Sequence, residues 1–236
     1  TKGMFEWLRK APWGNPAFAG MFLSLVFFGF IGGISGVVMG TEQINLIMHN
    51  TLYVPGHFHG TVVAGTTLAF MAITYYLIPL IFRRELMFMK LAKLQPYLFG
   101  IGAAGISVFM MGAGTLGVAR RHWDMQFADA VLPFDYPSAA FLMMGLNGLF
   151  AVLAALGGIT FIVVVVSSVF FGRKLGVDEK PSYPEVPPQA NVVAEHGSAH
   201  SLKIPGTTML VAIFFIAFVL YYFVNWKYLS EVWPLS

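Results

Sequence analysis

Five long apolar runs divide the chain, separated by charged or proline-rich stretches. They cover residues 16–39, 53–82, 96–117, 136–171 and 206–223. A helix needs about 20 apolar residues, with a lower limit of about 17, to cross the hydrocarbon core of a bilayer. All five runs reach that length, and the fourth is long enough to protrude. The pattern predicts an all-α integral membrane protein with five transmembrane helices.

Composition supports this class. Of the 236 residues, 57% are hydrophobic and 11% are charged, whereas soluble domains carry about 25% charged residues. The chain has no Cys, which excludes disulfides, Cys-ligated iron-sulfur clusters and thiolate-ligated copper within it. Histidine is then its strongest haem or copper ligand. The net charge of +3 does not indicate nucleic acid binding.

Lysine and arginine are spread unevenly over the predicted loops. Eleven of the 14 lie on the side that holds the N-terminus and the loops at 83–95 and 172–205. Cytoplasmic loops carry an excess of these residues. The distribution therefore predicts a cytoplasmic N-terminus and, after five crossings, a C-terminus on the outside.

Glycines recur in the first and third runs at close to four-residue spacing. Small residues at this spacing let neighbouring helices approach closely. We expect packing faces here and no ligand site. The glycines are Gly29, Gly32, Gly33 and Gly36 in the first run, and Gly100, Gly105, Gly112 and Gly114 in the third.

Two histidines, His57 and His59, stand near the start of the second run, after Pro55 and Gly56. Residues two apart on an α-helix are rotated by about 200°, so the two imidazoles leave on nearly opposite sides and favour two different metal ions over one. Isolated pairs of this kind often have no function. Ionisable groups at membrane depth are costly, however, and by default indicate a functional site.

The adjacent Arg120 and Arg121 break the charge rule, because they lie on the predicted outer side. One explanation is snorkelling, in which each guanidinium reaches the lipid headgroups. The other is a bidentate clamp on carboxylates at the membrane edge, such as haem propionates. Two histidines at the same depth favour the clamp.

The remaining boundaries follow from the loops. Residues 1–171 contain the first four helices, and residues 172–204 form a proline-rich stretch that we interpret as an extended cytoplasmic linker. Residues 205–236 hold the fifth helix and an outer tail.

The stretch from His49 to His59, His-Asn-Thr-Leu-Tyr-Val-Pro-Gly-His-Phe-His, followed by Arg120-Arg121, resembles the C-terminal part of haem-copper terminal oxidase subunit I. The similarity is closest to the B-type (ba3-like) branch and extends to about residue 171. It implies that the chain forms part of that subunit's helix bundle in a prokaryotic plasma membrane.

The resemblance also implies roles for single residues. His57 would ligate a high-spin haem and His59 a low-spin haem. Arg120 and Arg121 match the propionate-binding arginines, and His49 matches a histidine near the high-spin haem propionates. Asn45 stands where the family usually has an Asp, and an amide cannot take up a proton there.

The family's copper histidines, its cross-linked tyrosine and the second low-spin haem ligand lie in earlier helices that this sequence does not contain. We therefore expect a C-terminal piece of subunit I that works with the N-terminal part, with subunit II, and with cytochrome c or quinol as electron donor. The copper ion would be ligated outside this chain. Two alternatives remain open: an electron-transfer haem subunit without oxygen chemistry, and a nitric oxide reductase on the B-type scaffold.

Overall fold

The computed structural model describes residues 3–121, 135–176, 179 and 181–183, and eight positions between 212 and 227. The first 187 residues form one compact unit and residues 188–236 a second. Within residues 3–121 and 135–176 the structure is all-α and has no strand, which confirms the predicted class. The helices are α1 (Gly3–Lys10), α2 (Pro16–Gly40), α3 (Glu42–Met48), α4 (Tyr53–Phe82), α5 (Met89–Thr115) and α6 (Ser138–Phe171).

Four of these helices, α2, α4, α5 and α6, are long and apolar enough to cross a membrane. Helix α2 begins where expected, because Asn15 caps it by accepting a hydrogen bond of 3.0 Å from the Phe18 N–H and Pro16 fills its first position. Helix α5 begins at Met89, seven residues before the predicted start at Pro96, which stands inside the helix. The predicted fifth span falls largely outside the described residues. Its described positions, all between 212 and 223, are helical.

Two helices contain a wide, π-helical segment. In α2 it runs over Phe27–Gly33 and in α4 over His59–Thr67, and the two segments pack against each other. Segments of this kind are rare and are frequent at functional sites. The second one begins at a predicted ligand, His59.

Small residues bring the helices together. A side chain at Gly102 of α5 would meet the backbone of Ala154 in α6, and one at Gly157 would meet the backbone of Phe99. Because lipid is as apolar as a helix face, such close van der Waals packing is what associates helices in a membrane. The packing expectation does not hold at Gly29, where a Cβ would meet nothing within 4 Å.

The described start of the proline-rich stretch packs against the connection between α4 and α5. Glu85 accepts hydrogen bonds from Ser182 and forms an ion pair of 3.3 Å with Arg173. Burial raises the pKa of the Glu85 carboxyl. The hydrogen bonds from Ser182 and the charge of Arg173 together lower it by more, so the pKa lies below its ordinary value. The Tyr183 hydroxyl donates to Asn15 Oδ1 at 2.7 Å and accepts from the Ala17 N–H at 3.1 Å. These contacts fasten the stretch to the start of α2.

Candidate functional site

His57 lies in the second turn of α4 and faces α2. Its Nδ1 is 2.8 Å from the hydroxyl oxygen of Ser35, which is itself buried. The ring lies beside Gly36, where a Cβ would come within 3.1 Å of the His57 Cε1. The side chain is half-buried. With Nδ1 engaged by α2, the second ring nitrogen, Nε2, is the atom left to bind a metal.

His59 is held by its own helix. Its Nδ1 lies 2.7 Å from the carbonyl oxygen of Pro55, so the Nδ1–H donates and the tautomer again leaves a lone pair on Nε2. The ring stacks on Phe58, with ring centroids 5.2 Å apart and an angle of 25° between the planes. Phe58 is 44% exposed. The two histidines are thus positioned by different partners, Ser35 on α2 for His57 and Pro55 on the same helix for His59.

Helix α5 fixes the segment that carries both histidines. Ser107 is fully buried, and its hydroxyl donates a hydrogen bond of 2.6 Å to the Gly56 carbonyl. A Cβ at Gly56 would lie 2.7 Å from the Met111 backbone nitrogen, so only glycine permits this approach. A buried hydrogen bond of this kind contributes about 1 kcal/mol. The start of α4, which carries both histidines, is therefore held rigidly against α5.

Arg120 is joined to the loop that precedes α4. Its backbone N–H donates to the Asn50 carbonyl at 2.9 Å, and its Nη2 donates to the Asn50 Oδ1 at 3.1 Å. The neighbouring Thr51 and Ala119 form an antiparallel bridge. The Nε of Arg120 is buried without a hydrogen-bond partner among the described residues. Buried polar atoms normally have a partner, so this nitrogen is free to donate to an acceptor that is not among the described residues.

The other predicted site residues are more exposed. Arg121 follows with φ of +69° and an exposed side chain. Asn45 lies on the short helix α3 and His49 directly after it, and both are exposed. The structure therefore distinguishes the two arginines: Arg120 is fixed by Asn50, and the side chain of Arg121 is exposed.

The donor set fits haem. Within residues 3–121 and 135–176, no three His, Cys, Asp or Glu side chains come together to hold a metal ion. A single histidine with a free Nε2 could nevertheless ligate haem iron, which proteins hold through one or two side chains. Both imidazoles have Nδ1 bound by protein, the arrangement that orients a metal-ligating histidine and raises its basicity.

Sequence reasoning missed the partners of these residues. Ser35 and Gly36 belong to a run predicted only to pack, and Ser107 is one serine in an apolar helix. A polar side chain amid apolar residues was the available signal. The spacing alone could not show that it would face a histidine 22 residues away.

Comparison with known proteins adds independent information. The family model for cytochrome C and quinol oxidase polypeptide I matches residues 2–159, more than half of the chain. Cytochrome c oxidase subunit 1 of Thermus thermophilus is 35% identical over 199 residues, which are 82% of this chain and 33% of that protein. Cytochrome c oxidase polypeptide 1 of Halobacterium salinarum is 36% identical over 103 residues, 42% of this chain and 17% of that protein.

A solved structure is also similar. It is described as "Cryo-EM structure of a heme-copper terminal oxidase dimer provides insights into its catalytic mechanism", and it aligns with a TM-score of 0.65 and 28% sequence identity. The alignment covers 80% of this chain and 34% of the other. The chain therefore spans about a third of the length of this structure and of the Thermus relative.

Proposed function

The chain belongs to the cytochrome c and quinol oxidase polypeptide I family, and on this premise we propose that it is the haem-binding part of the catalytic subunit of a terminal respiratory oxidase. Such an enzyme reduces oxygen to water with electrons from cytochrome c or quinol and translocates protons. One observation carries the proposal: His57 and His59 each have Nδ1 bound by protein and Nε2 left as a ligand.

We assign the two histidines to two haems. His57 binds the high-spin haem and His59 the low-spin haem, each through Nε2. The haems, when bound, supply iron that carries single electrons and binds oxygen. The protein's part is to orient the imidazoles, and Ser35, Pro55 and the rigid start of α4 do so. Phe58, stacked on His59, would lie between the two haem sites.

The arginines bind the haem propionates. Arg120 offers the buried Nε that has no partner among the described residues, and Arg121 offers an exposed guanidinium beside it. Charge-assisted bonds between a guanidinium and a carboxylate are about twice as strong as neutral ones. His49 and Asn45 complete this end of the site, where Asn45 can donate a hydrogen bond and cannot take up a proton.

The rest of the enzyme lies outside this chain. The copper ion is ligated by the N-terminal part of subunit I, and subunit II completes the complex in a prokaryotic plasma membrane, with the N-terminus of this chain in the cytoplasm. The similarity to cytochrome c oxidase subunits of Thermus and Halobacterium supports the oxidase interpretation. The histidine motif supports the B-type branch.

The test is a reduced-minus-oxidised spectrum of the purified complex that contains this chain, recorded with and without carbon monoxide. We expect one low-spin haem whose α-band is unchanged by carbon monoxide and one high-spin haem that binds carbon monoxide. A low-spin band with no carbon monoxide response would support the electron-transfer alternative. Consumption of nitric oxide without oxygen uptake by the same preparation would support the reductase.

A further inference from the structure

The hydroxyl of Ser35 is buried between α2 and α4, and only 5% of this residue is exposed. Its Oγ has three polar neighbours. It lies 2.8 Å from the His57 Nδ1 and 3.1 Å from the Gly32 carbonyl oxygen, and it is also hydrogen-bonded to the Ile31 carbonyl oxygen. The hydroxyl therefore links the imidazole to the backbone of α2.

The number of protons determines the direction of each bond. A serine hydroxyl carries one proton, and a carbonyl oxygen only accepts. The contacts with the Ile31 and Gly32 carbonyls therefore use the Ser35 proton. The contact with His57 must run the other way, with the Nδ1–H donating to Oγ. A neutral imidazole has a single N–H, so this direction places the free lone pair on Nε2.

We infer that Ser35 is a positioning residue for His57, selecting the imidazole tautomer and raising the donor strength of Nε2. The inference rests on the proposed function of His57 as a haem ligand. A hydroxyl that donates its own proton is a better acceptor, because hydrogen bonds in a chain polarise one another. A hydrogen bond from the far N–H of a ligating histidine raises its basicity. The chain from imidazole to hydroxyl to carbonyl therefore strengthens the bond between His57 and iron.

His59 provides an internal contrast. Its Nδ1 donates directly to the Pro55 carbonyl on its own helix, with no hydroxyl between. A substitution at Ser35 should therefore change the high-spin haem and leave the low-spin haem unaltered. A general disturbance of the helix pair would move both.

Ser24 is the matched control on α2. It is 2% exposed, and its hydroxyl bonds the Met21 carbonyl at 2.7 Å. Ser24→Ala removes a buried hydroxyl from the same helix without touching the contact to His57. Ser35→Ala removes the acceptor, and Ser35→Cys replaces it by a sulfur of similar size that accepts only weakly.

The experiment measures the iron-histidine stretching band of the reduced high-spin haem by resonance Raman, in the assembled oxidase that contains this chain. We expect a shift to lower frequency in Ser35→Ala and a rise in the potential of that haem. We expect no shift in Ser24→Ala and an unchanged low-spin α-band in both. If Ser35→Ala fails to assemble, Ser35→Cys carries the test, with a shift in the same direction.

An unmoved band in Ser35→Ala, or in Ser35→Cys where that variant carries the test, overturns the inference. An equal shift in Ser24→Ala also overturns it, since the effect would then come from the helix. His57→Leu separates this failure from failure of the proposed function. If His57→Leu keeps the band, His57 is not the ligand, and both the proposed function of His57 and the inference about Ser35 are wrong. If His57→Leu loses the band while Ser35→Ala leaves it in place, only the inference is wrong.

Discussion

Arg120 and Asn50 are joined twice, by a backbone hydrogen bond of 2.9 Å and by a side-chain bond of 3.1 Å from the guanidinium to the amide oxygen. Asn50 adopts a left-handed backbone conformation with φ of +63°, which Asn tolerates better than most residues. The pair holds one arginine rigidly beside the start of α4 and leaves its Nε without a partner among the described residues.

The first prediction concerns the arginines. Arg120→Leu and Arg121→Leu should each lower a haem potential, because loss of a nearby positive charge favours oxidised iron. Loss of a charge-assisted bond costs about 1.5–3 kcal/mol, which corresponds to roughly 10- to 100-fold weaker haem retention. Redox titration and haem-to-protein ratios measure both effects.

Arg9→Leu serves as the control, because Arg9 is an exposed charge on α1, on the opposite predicted side of the membrane. It should leave both potentials unchanged. If Arg120→Leu and Arg121→Leu both keep the wild-type haem potentials, the propionate assignment is wrong and snorkelling to the lipid headgroups explains the two arginines.

The second prediction separates the two functions of Asn50. Asn50→Gly keeps the left-handed backbone at no steric cost and removes the side-chain bond to Arg120 while the backbone bond remains, so the haem potential should fall by less than in Arg120→Leu. Asn50→Ala loses the amide and also strains the backbone, which should add a loss of thermal stability. Equal behaviour of the Gly and Ala variants in redox titration and thermal unfolding would show that the backbone conformation does not matter.

The third prediction concerns the opposite end of the helices. Tyr183→Phe removes two hydrogen bonds and leaves the half-buried Ala17 N–H without its acceptor, so it should cost about 1–3 kcal/mol of stability. Tyr76→Phe, at a residue that is 45% exposed, should change little. Thermal unfolding of the complex compares them, and equal melting temperatures would mean that the contact to α2 contributes nothing.

The helical class and the histidine pair could be predicted from the sequence because their signals are local. Apolar runs of membrane length allow few structures, and an ionisable pair inside such a run stands out. The start of α5 could not be placed as well. Pro96 suggests a first turn, but membrane helices tolerate an interior proline when neighbours satisfy the freed carbonyl.

The partners of the site depend on contacts that no spacing specifies. Ser35 bonds His57 across 22 positions, and Arg120 bonds Asn50 across 70. The face of α2 that meets α4 is set by tertiary packing, including contact between their π-helical segments, and residue spacing alone does not show it. Gly36 therefore suggested packing alone, although it makes room for the His57 ring.

The assignment of two irons to one helix is tested most directly by replacing each histidine in turn. His57→Leu should abolish the carbon monoxide difference signal of the high-spin haem and largely preserve the low-spin α-band. His59→Leu should abolish the α-band and leave a haem that still binds carbon monoxide. Loss of a bound cofactor also lowers stability, so the comparison is made per remaining haem.

The decisive measurement is therefore the pair of reduced spectra, with and without carbon monoxide, of these two variants. Loss of a different signal in each is the result we predict. If both variants lose the same signal, or neither loses any, His57 and His59 do not ligate separate haems and the account is contradicted.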